Sequence, residues 1–123
     1  EIFAALSSRR FGIGGVSNST RAVFSGGGGP GPSYTNENTI DFITMSSGGE
    51  ASDFGDQSLT RRDVYPVSSS IRGVFGGGYT PTIVNTMDFI TIATTGNATD
   101  FGDMLAASRT GAGASDSHGG LGD

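Results

Sequence analysis

The chain contains no lysine, no cysteine and no tryptophan, and a single histidine. With all seven basic residues arginine, a phosphate-binding P-loop lysine, Schiff-base chemistry and a lysine general base are excluded together. Without cysteine there is no disulfide framework, thiolate nucleophile or cysteine zinc site, and thiols say nothing of the redox compartment. No apolar run approaches the ~20 residues of a membrane span, so no span is expected, and no signal peptide opens the chain. Positive charge is also scarce: the net charge is −5 and the pI about 4.5, which makes nucleic acid a poor partner.

What is abundant is glycine, 22 residues in 123, against 34% hydrophobic and 15% charged residues. That balance describes a loop-rich all-β protein better than a helical one. The chain opens at Glu1, without an initiator Met and in mid-pattern, as expected of a processed or partial product.

The dominant feature is an internal repeat. Asp53, Phe54, Gly55 and Asp56 recur 47 residues later as Asp100, Phe101, Gly102 and Asp103. Thr39 to Thr44 matches Thr86 to Thr91 at the same offset, and Arg21 to Phe24 matches Arg72 to Phe75 at 51, the difference lying in a longer Gly-Pro loop in the first copy. Arg9 and Arg10 are matched with Arg61 and Arg62 at an offset of 52, Arg62 recurs as Arg109, and Ser115 to Ser117 echo Ser17 to Ser19. The reading is repeat 1 over 1–58, repeat 2 over 59–105 and the start of a truncated repeat 3 over 106–123.

Each copy predicts four short strands. A weakly alternating stretch comes first, with Phe11 and Ile13 in one copy and Tyr65 and Val67 in the other. Arg21 to Phe24 or Arg72 to Phe75 follows and is closed by the glycine run Gly26 to Gly29 or Gly76 to Gly78. The best strand is Thr86 to Ala93, with Met87, Phe89 and Thr91 on one face and Asp88, Ile90 and Ile92 on the other. Thr99 to Asp103 is the outer element. A sheet apolar on both faces suits a blade between two neighbours, so blades of a β-propeller are expected, with a β-solenoid or stacked-sheet array as the alternative. A closed propeller takes about four blades or more, so the others would come from further sequence or from other copies.

The chemical motifs read as structure. Asp-Phe-Gly, a metal-binding triplet in kinases, has no accompanying lysine or His-Arg-Asp here; its period instead casts Phe54 and Phe101 as packing residues. The glycine runs follow a strand without opening a helix, so they are read as tight turns and not as a phosphate cradle. Asp53 with Asp56, and Asp100 with Asp103, fall short of a calcium loop and are assigned to Asx turns and to ion pairs with Arg21, Arg72, Arg62 and Arg109. His118 lies where Thr20 and Ile71 stand in the other copies, so the repeat does not require it. Asn18 and Asn97 open glycosylation sequons of the kind that Ser/Thr-rich turns produce often. No catalytic residue, metal site or cofactor is expected. The repeat-structural residues are Arg21, Arg72, Gly26, Gly76, Gly77, Asp41, Asp88, Phe54 and Phe101. The candidate binding loops carry Tyr34, Tyr79, Thr80, Pro81 and Thr82, because exposed aromatics on variable loops suit recognition.

The order of arginine, apolar strand, Gly76-Gly77, Asp88 and Phe101 resembles the kelch repeat, with Phe101 in the place of the kelch Trp and Met87 or Ile40 in the place of its Tyr. The run from Val74 to Asp103 is also similar to kelch-like repeat proteins encoded by tailed phages of cyanobacteria and other marine bacteria. The resemblance implies a non-enzymatic structural component of a phage virion, in the tail, fibre or capsid surface, localised to the virion or an extracellular or cell-surface site. Its partners would be other copies of itself, other virion proteins, or a host-surface glycan or protein. A glycan- or protein-binding propeller module, or a subunit of an extracellular filament, is the alternative.

Overall fold

A computed structural model describes residues 5–113; Ser115 to Ser117 and His118 lie outside the described residues. Among these the regular structure is all β, in two four-stranded antiparallel sheets, and no helix is long and apolar enough to cross a membrane. Sheet 1 holds β1 (Gly14–Ser17), β2 (Arg21–Ser25), β3 (Thr39–Thr44) and β4 (Ser52–Asp56). Sheet 2 holds β5 (Tyr65–Ser68), β6 (Arg72–Gly76), β7 (Thr86–Thr91) and β8 (Thr99–Asp103). Both are meanders in which each strand pairs with the next in sequence.

The register corrects two details of the sequence reading. Gly14 pairs with Ser25 as Tyr65 pairs with Gly76, so the inner strand of the first copy starts at Gly14. Phe11 and Ile13 precede it, Phe11 forming only a lone bridge to Gly28 as Arg62 does to Tyr79. The same correspondence matches Arg10, not Arg9, with Arg61, and Phe11 with Arg62.

The repeated Asp-Phe-Gly-Asp is a β-bulge. Ile40 pairs with Gly55 but Asp41 pairs with Asp53, which leaves Phe54 unpaired; Met87, Gly102, Asp88 and Asp100 repeat the shift around Phe101. A bulge bends the strand and re-aims the extra side chain. Phe54 is thereby set edge-on to Phe42 at 5.9 Å between ring centroids, and Phe101 to Phe89 at 5.7 Å. Gly55 and Gly102 hold φ of 148° and 140°, a region open to glycine.

The sheets stack through one face each. Sheet 1 offers Val16, Val23, Phe42 and Phe54, and sheet 2 covers them with Gly73, Phe75, Ile90 and Ile92, with Val64 ahead of β5 completing the core. The approach is close where β1 meets β6: a Cβ added at Gly73 would lie 2.6 Å from Val16 Cγ2. At the outer edge β4 bonds with the β7–β8 loop, Gly96 N donating to Phe54 O at 2.7 Å and Ala98 N to Asp56 O at 2.8 Å. The opposite face of sheet 2 carries Val67, Val74, Phe89 and Phe101, the counterparts of the covered residues of sheet 1. Phe54 is 3% exposed whereas Phe101 is 48% exposed. Both phenylalanines pack edge-on against the neighbouring strand, but among the described residues only Phe54 is also covered by an adjoining sheet.

Candidate functional site

The segment joining the sheets, residues 57–64, divides its allegiance. Its main chain closes sheet 1: Gln57 N donates to Asn38 O at 2.8 Å, Arg61 N to Glu37 O at 3.2 Å, and Gly27 N to Arg61 O at 2.9 Å. The Arg61 side chain instead runs under sheet 2. Its Nη1 donates to Gly77 O at 3.0 Å and Thr86 O at 2.8 Å, Nη2 to Phe75 O at 3.0 Å, and Nε to Gln57 Oε1 at 3.0 Å. Nη2 also lies 3.2 Å from the Asp88 carboxylate, both side chains being 0% exposed. Four of the five N–H donors of the guanidinium fork thus donate hydrogen bonds, and the Asp88 carboxylate balances the charge beside Nη2, as a buried cation requires. Burial lowers the Arg61 pKa from its ordinary value, and the charge of Asp88 opposes that shift. Ser58 completes the carboxylate shell with N at 2.9 Å and Oγ at 2.6 Å.

Sheet 1 carries the same lock. Arg10 Nη2 meets Asp41 at 2.7 Å, Nη1 donates to Gly26 O and Thr39 O, each at 2.8 Å, and Ser7 gives its N and Oγ to Asp41. The unit is Ser-x-x-Arg with an Asp on the third strand. The glycine run admits the segment that follows each sheet: Gly26 and Gly77 turn at φ of 65° and 63°, and a side chain there would strike the main-chain oxygen of Arg61 or of Ser108.

The two locks differ at two nitrogens: Nη2 donates to a strand carbonyl in Arg61 but to Asp41 in Arg10, and Nε has a partner only in Arg61. Leu6 stands where Gln57 stands, and Arg10 Nε is the one buried side-chain polar atom among the described residues without a partner. Leu6→Gln is accordingly expected to raise stability by about 1 kcal/mol, the usual net worth of a satisfied buried donor. Chemical denaturation that showed no gain would remove this explanation of the orphaned nitrogen.

These locks replace the ion pairs expected from sequence. Asp53, Asp56, Asp100 and Asp103 form no salt bridge among the described residues; Asp100 instead accepts from Gly102 N at 3.2 Å, an Asx turn. Arg21 and Arg72 stack on Phe42 and Phe89, 4.3 and 4.4 Å from the ring centroids, and Arg21 also donates to Ile92 O across the sheet interface at 3.0 Å. No group of three acidic or histidine side chains converges among the described residues. Asn18 spends its Oδ1 on Thr20 N and Arg21 N, each at 2.9 Å, and Asn97 Oδ1 accepts from Asp56 N at 3.0 Å.

At one end of the sheets the candidate binding loops do meet, through Arg62, for which the repeat pattern predicts an ion pair with the Asp-Phe-Gly-Asp carboxylates. Arg62 lies over Tyr79 at 4.7 Å and Phe11 at 5.3 Å, and donates to Asn36 Oδ1 at 3.0 Å. Tyr34, 55% exposed, stands edge-on to Phe11, while Arg109 covers the Tyr79 ring at 4.5 Å. The result is a row of stacked rings and cations: Tyr34, Phe11, Arg62, Tyr79, Arg109. Such contacts contribute about 0.5–1 kcal/mol each when exposed, so the row holds the loops while leaving Tyr34 outward. Thr80 and Thr82 bond to each other, Thr80 N to Thr82 O at 2.9 Å, and Pro81 is exposed at the tip of that turn.

Arg10, Arg61, Ser7, Ser58 and Gln57 were missed as a set. The available signal was the spacing Ser-x-x-Arg in both copies, obscured by adjacent arginines that permit a match one residue out of step. No protein-family model matches the chain, and no curated protein matches it.

Proposed function

We propose that the chain is a non-enzymatic structural component of a phage virion, in a tail, fibre or capsid-surface protein, and that its two sheets are successive kelch-like blades of a propeller. The observation that carries this is the face-to-face stacking of two equal units joined by a buried lock. In this reading the buried polar chemistry is consumed in architecture: Arg61 and Asp88, both fully buried, are spent on each other, on main-chain carbonyls, Gln57 and Ser58. A catalytic pair needs free valences toward a substrate.

The same geometry suits an open stack of sheets, and the propeller is preferred for the kelch-like order of residues. The assignment predicts that antibodies to the chain decorate intact particles at symmetric positions in electron micrographs. A protein found only as a monodisperse monomer outside any particle would overturn it.

A second reading, a module binding a host-surface glycan or protein, is favoured by one observation, the outward Tyr34 at the end of the ring–cation row. Replacement of Tyr34 and Tyr79 by Ala would then abolish host adsorption with the fold intact. Unchanged adsorption, with no hit on a glycan array, excludes it.

A further inference from the structure

The third copy begins on sheet 2 as the second begins on sheet 1. Ser108 N donates to Val84 O at 3.2 Å and Gly78 N to Ser108 O at 2.8 Å, repeating the bonds of Arg61 to Glu37 and Gly27. Thr110 N donates to Asp63 O at 2.8 Å as Asp63 N does to Gly12 O at 2.7 Å, and all three knuckle residues have φ near 60° (64°, 58° and 60°). Gly12, Asp63 and Thr110 are thus equivalent, and so are Ile13, Val64 and Gly111.

The side chains at this seam alternate in size. Between sheets 1 and 2 the first partner is small: a Cβ on Gly14 would lie 2.5 Å from Val64 Cγ2 and 3.5 Å from Pro66. At the next seam the order is reversed. Tyr65, the counterpart of Gly14, projects its ring into the space over Gly111, where any Cβ would overlap Cε2, and Gly113 lies where a Cβ would strike Pro66 O. Tyr65 is fixed in that position by its hydroxyl, 2.6 Å from Ser108 Oγ and 3.1 Å from Arg109 O.

We infer that the exposed face of sheet 2, Val67, Val74, Phe89 and Phe101, seats the third unit of this chain's own repeat, and that the Tyr65–Gly111 pair is the key admitting that unit and no other. The inference deepens the scaffold reading and rests on it for the stacking of successive units. Three observations select the occupant. The equivalent face of sheet 1 is covered by the unit that follows it, the described residues 108–113 already lie along sheet 2 in that unit's register, and they carry glycine where Tyr65 needs room. A second copy of the chain is a poor occupant, because it would present Ile13 to the Tyr65 ring and Ala22 to Val67, at the position where Val16 meets Gly73 with no room for a Cβ. Arg72 has the same role to fill: its counterpart Arg21 donates across the seam to Ile92 O.

The absence of tryptophan makes a single probe clean. Phe101→Trp is introduced in the chain and in a version continued past Gly113 by a further copy of residues 67–105 in place of 114–123. The expected result is a blue-shifted emission and severalfold weaker acrylamide quenching in the continued chain alone. Gly111→Val in the continued chain should return the probe to its exposed signature, and Tyr65→Gly combined with Gly111→Val, which recreates the Gly14–Val64 pair, should bury it again. A buried probe with Gly111→Val alone overturns the key while leaving the stacking intact. An exposed probe in every version overturns the seat and the stacking on which the scaffold reading stands. A blue shift on adding the unlabelled 123-residue chain would make a second copy the occupant.

Discussion

Replacing Asp88 by Ala is expected to destabilise the protein by about 3–5 kcal/mol, because it strands the fully buried Arg61 guanidinium without its compensating carboxylate. Domains of ordinary stability have about 5–15 kcal/mol in all, so the loss would be visible as a large shift in the urea midpoint. The carboxylate also holds Ser58 N and Oγ, so the segment between the sheets loses its anchor with it. The informative control is the double replacement Arg61→Met with Asp88→Leu, which removes both charges. Buried ion pairs often exchange for apolar residues at little cost, so the double variant should recover much of the loss. Equal destabilisation of the two variants would mean that the carbonyl contacts of Arg61, not its pairing with Asp88, hold the segment.

A second large effect separates two residues that the repeat presents as equals. Phe54→Ala should cost about 3–5 kcal/mol, the range for truncating a fully buried aromatic, since its ring fills the seam beside Phe42. Phe101→Ala removes the same atoms from the same bulge, but about half of that surface already faces solvent. Its cost should be about 1 kcal/mol, in proportion to the apolar area left to lose. Parallel denaturant titrations of the two variants decide it. Comparable losses would show that the ring stabilises its own bulge and that the neighbouring sheet adds little.

These contrasts mark where the sequence was legible. The strands at Thr39–Thr44 and Thr86–Thr91 are local patterns of β-branched and aromatic residues with period two, whereas the bulge in Asp-Phe-Gly-Asp is visible only in its pairing with the strand beside it. Burial of Phe54 but not Phe101 depends on what lies across the seam, which no local pattern encodes. The arginines failed for a different reason. Arg9-Arg10 and Arg61-Arg62 are adjacent pairs, and a match by residue type tolerates a slip of one that the main-chain bonds do not. The Asp-to-Arg pairing fails because recurrence within the repeat does not make two residues neighbours in space, whereas Asp88 reaches Arg61 only once β7 has folded back over the segment between the sheets. The ring–cation row was half legible: the aromatics stand in variable loops, but the arginine that joins them belongs to the turn before the next sheet.

The locking arginine takes most of its acceptors from peptide carbonyls, those of Phe75, Gly77 and Thr86, which exist whatever side chains the strands carry. Its grip is therefore indifferent to most substitutions in the strands it holds. Ala22 and Gly73, or Ile40 and Met87, occupy matching places without disturbing it. Units built in this way have room to drift on their faces and loops while a serine, an arginine and an aspartate fasten sheet 2 to sheet 1, and outward features such as Tyr34 are free to change without renegotiating the frame beneath them.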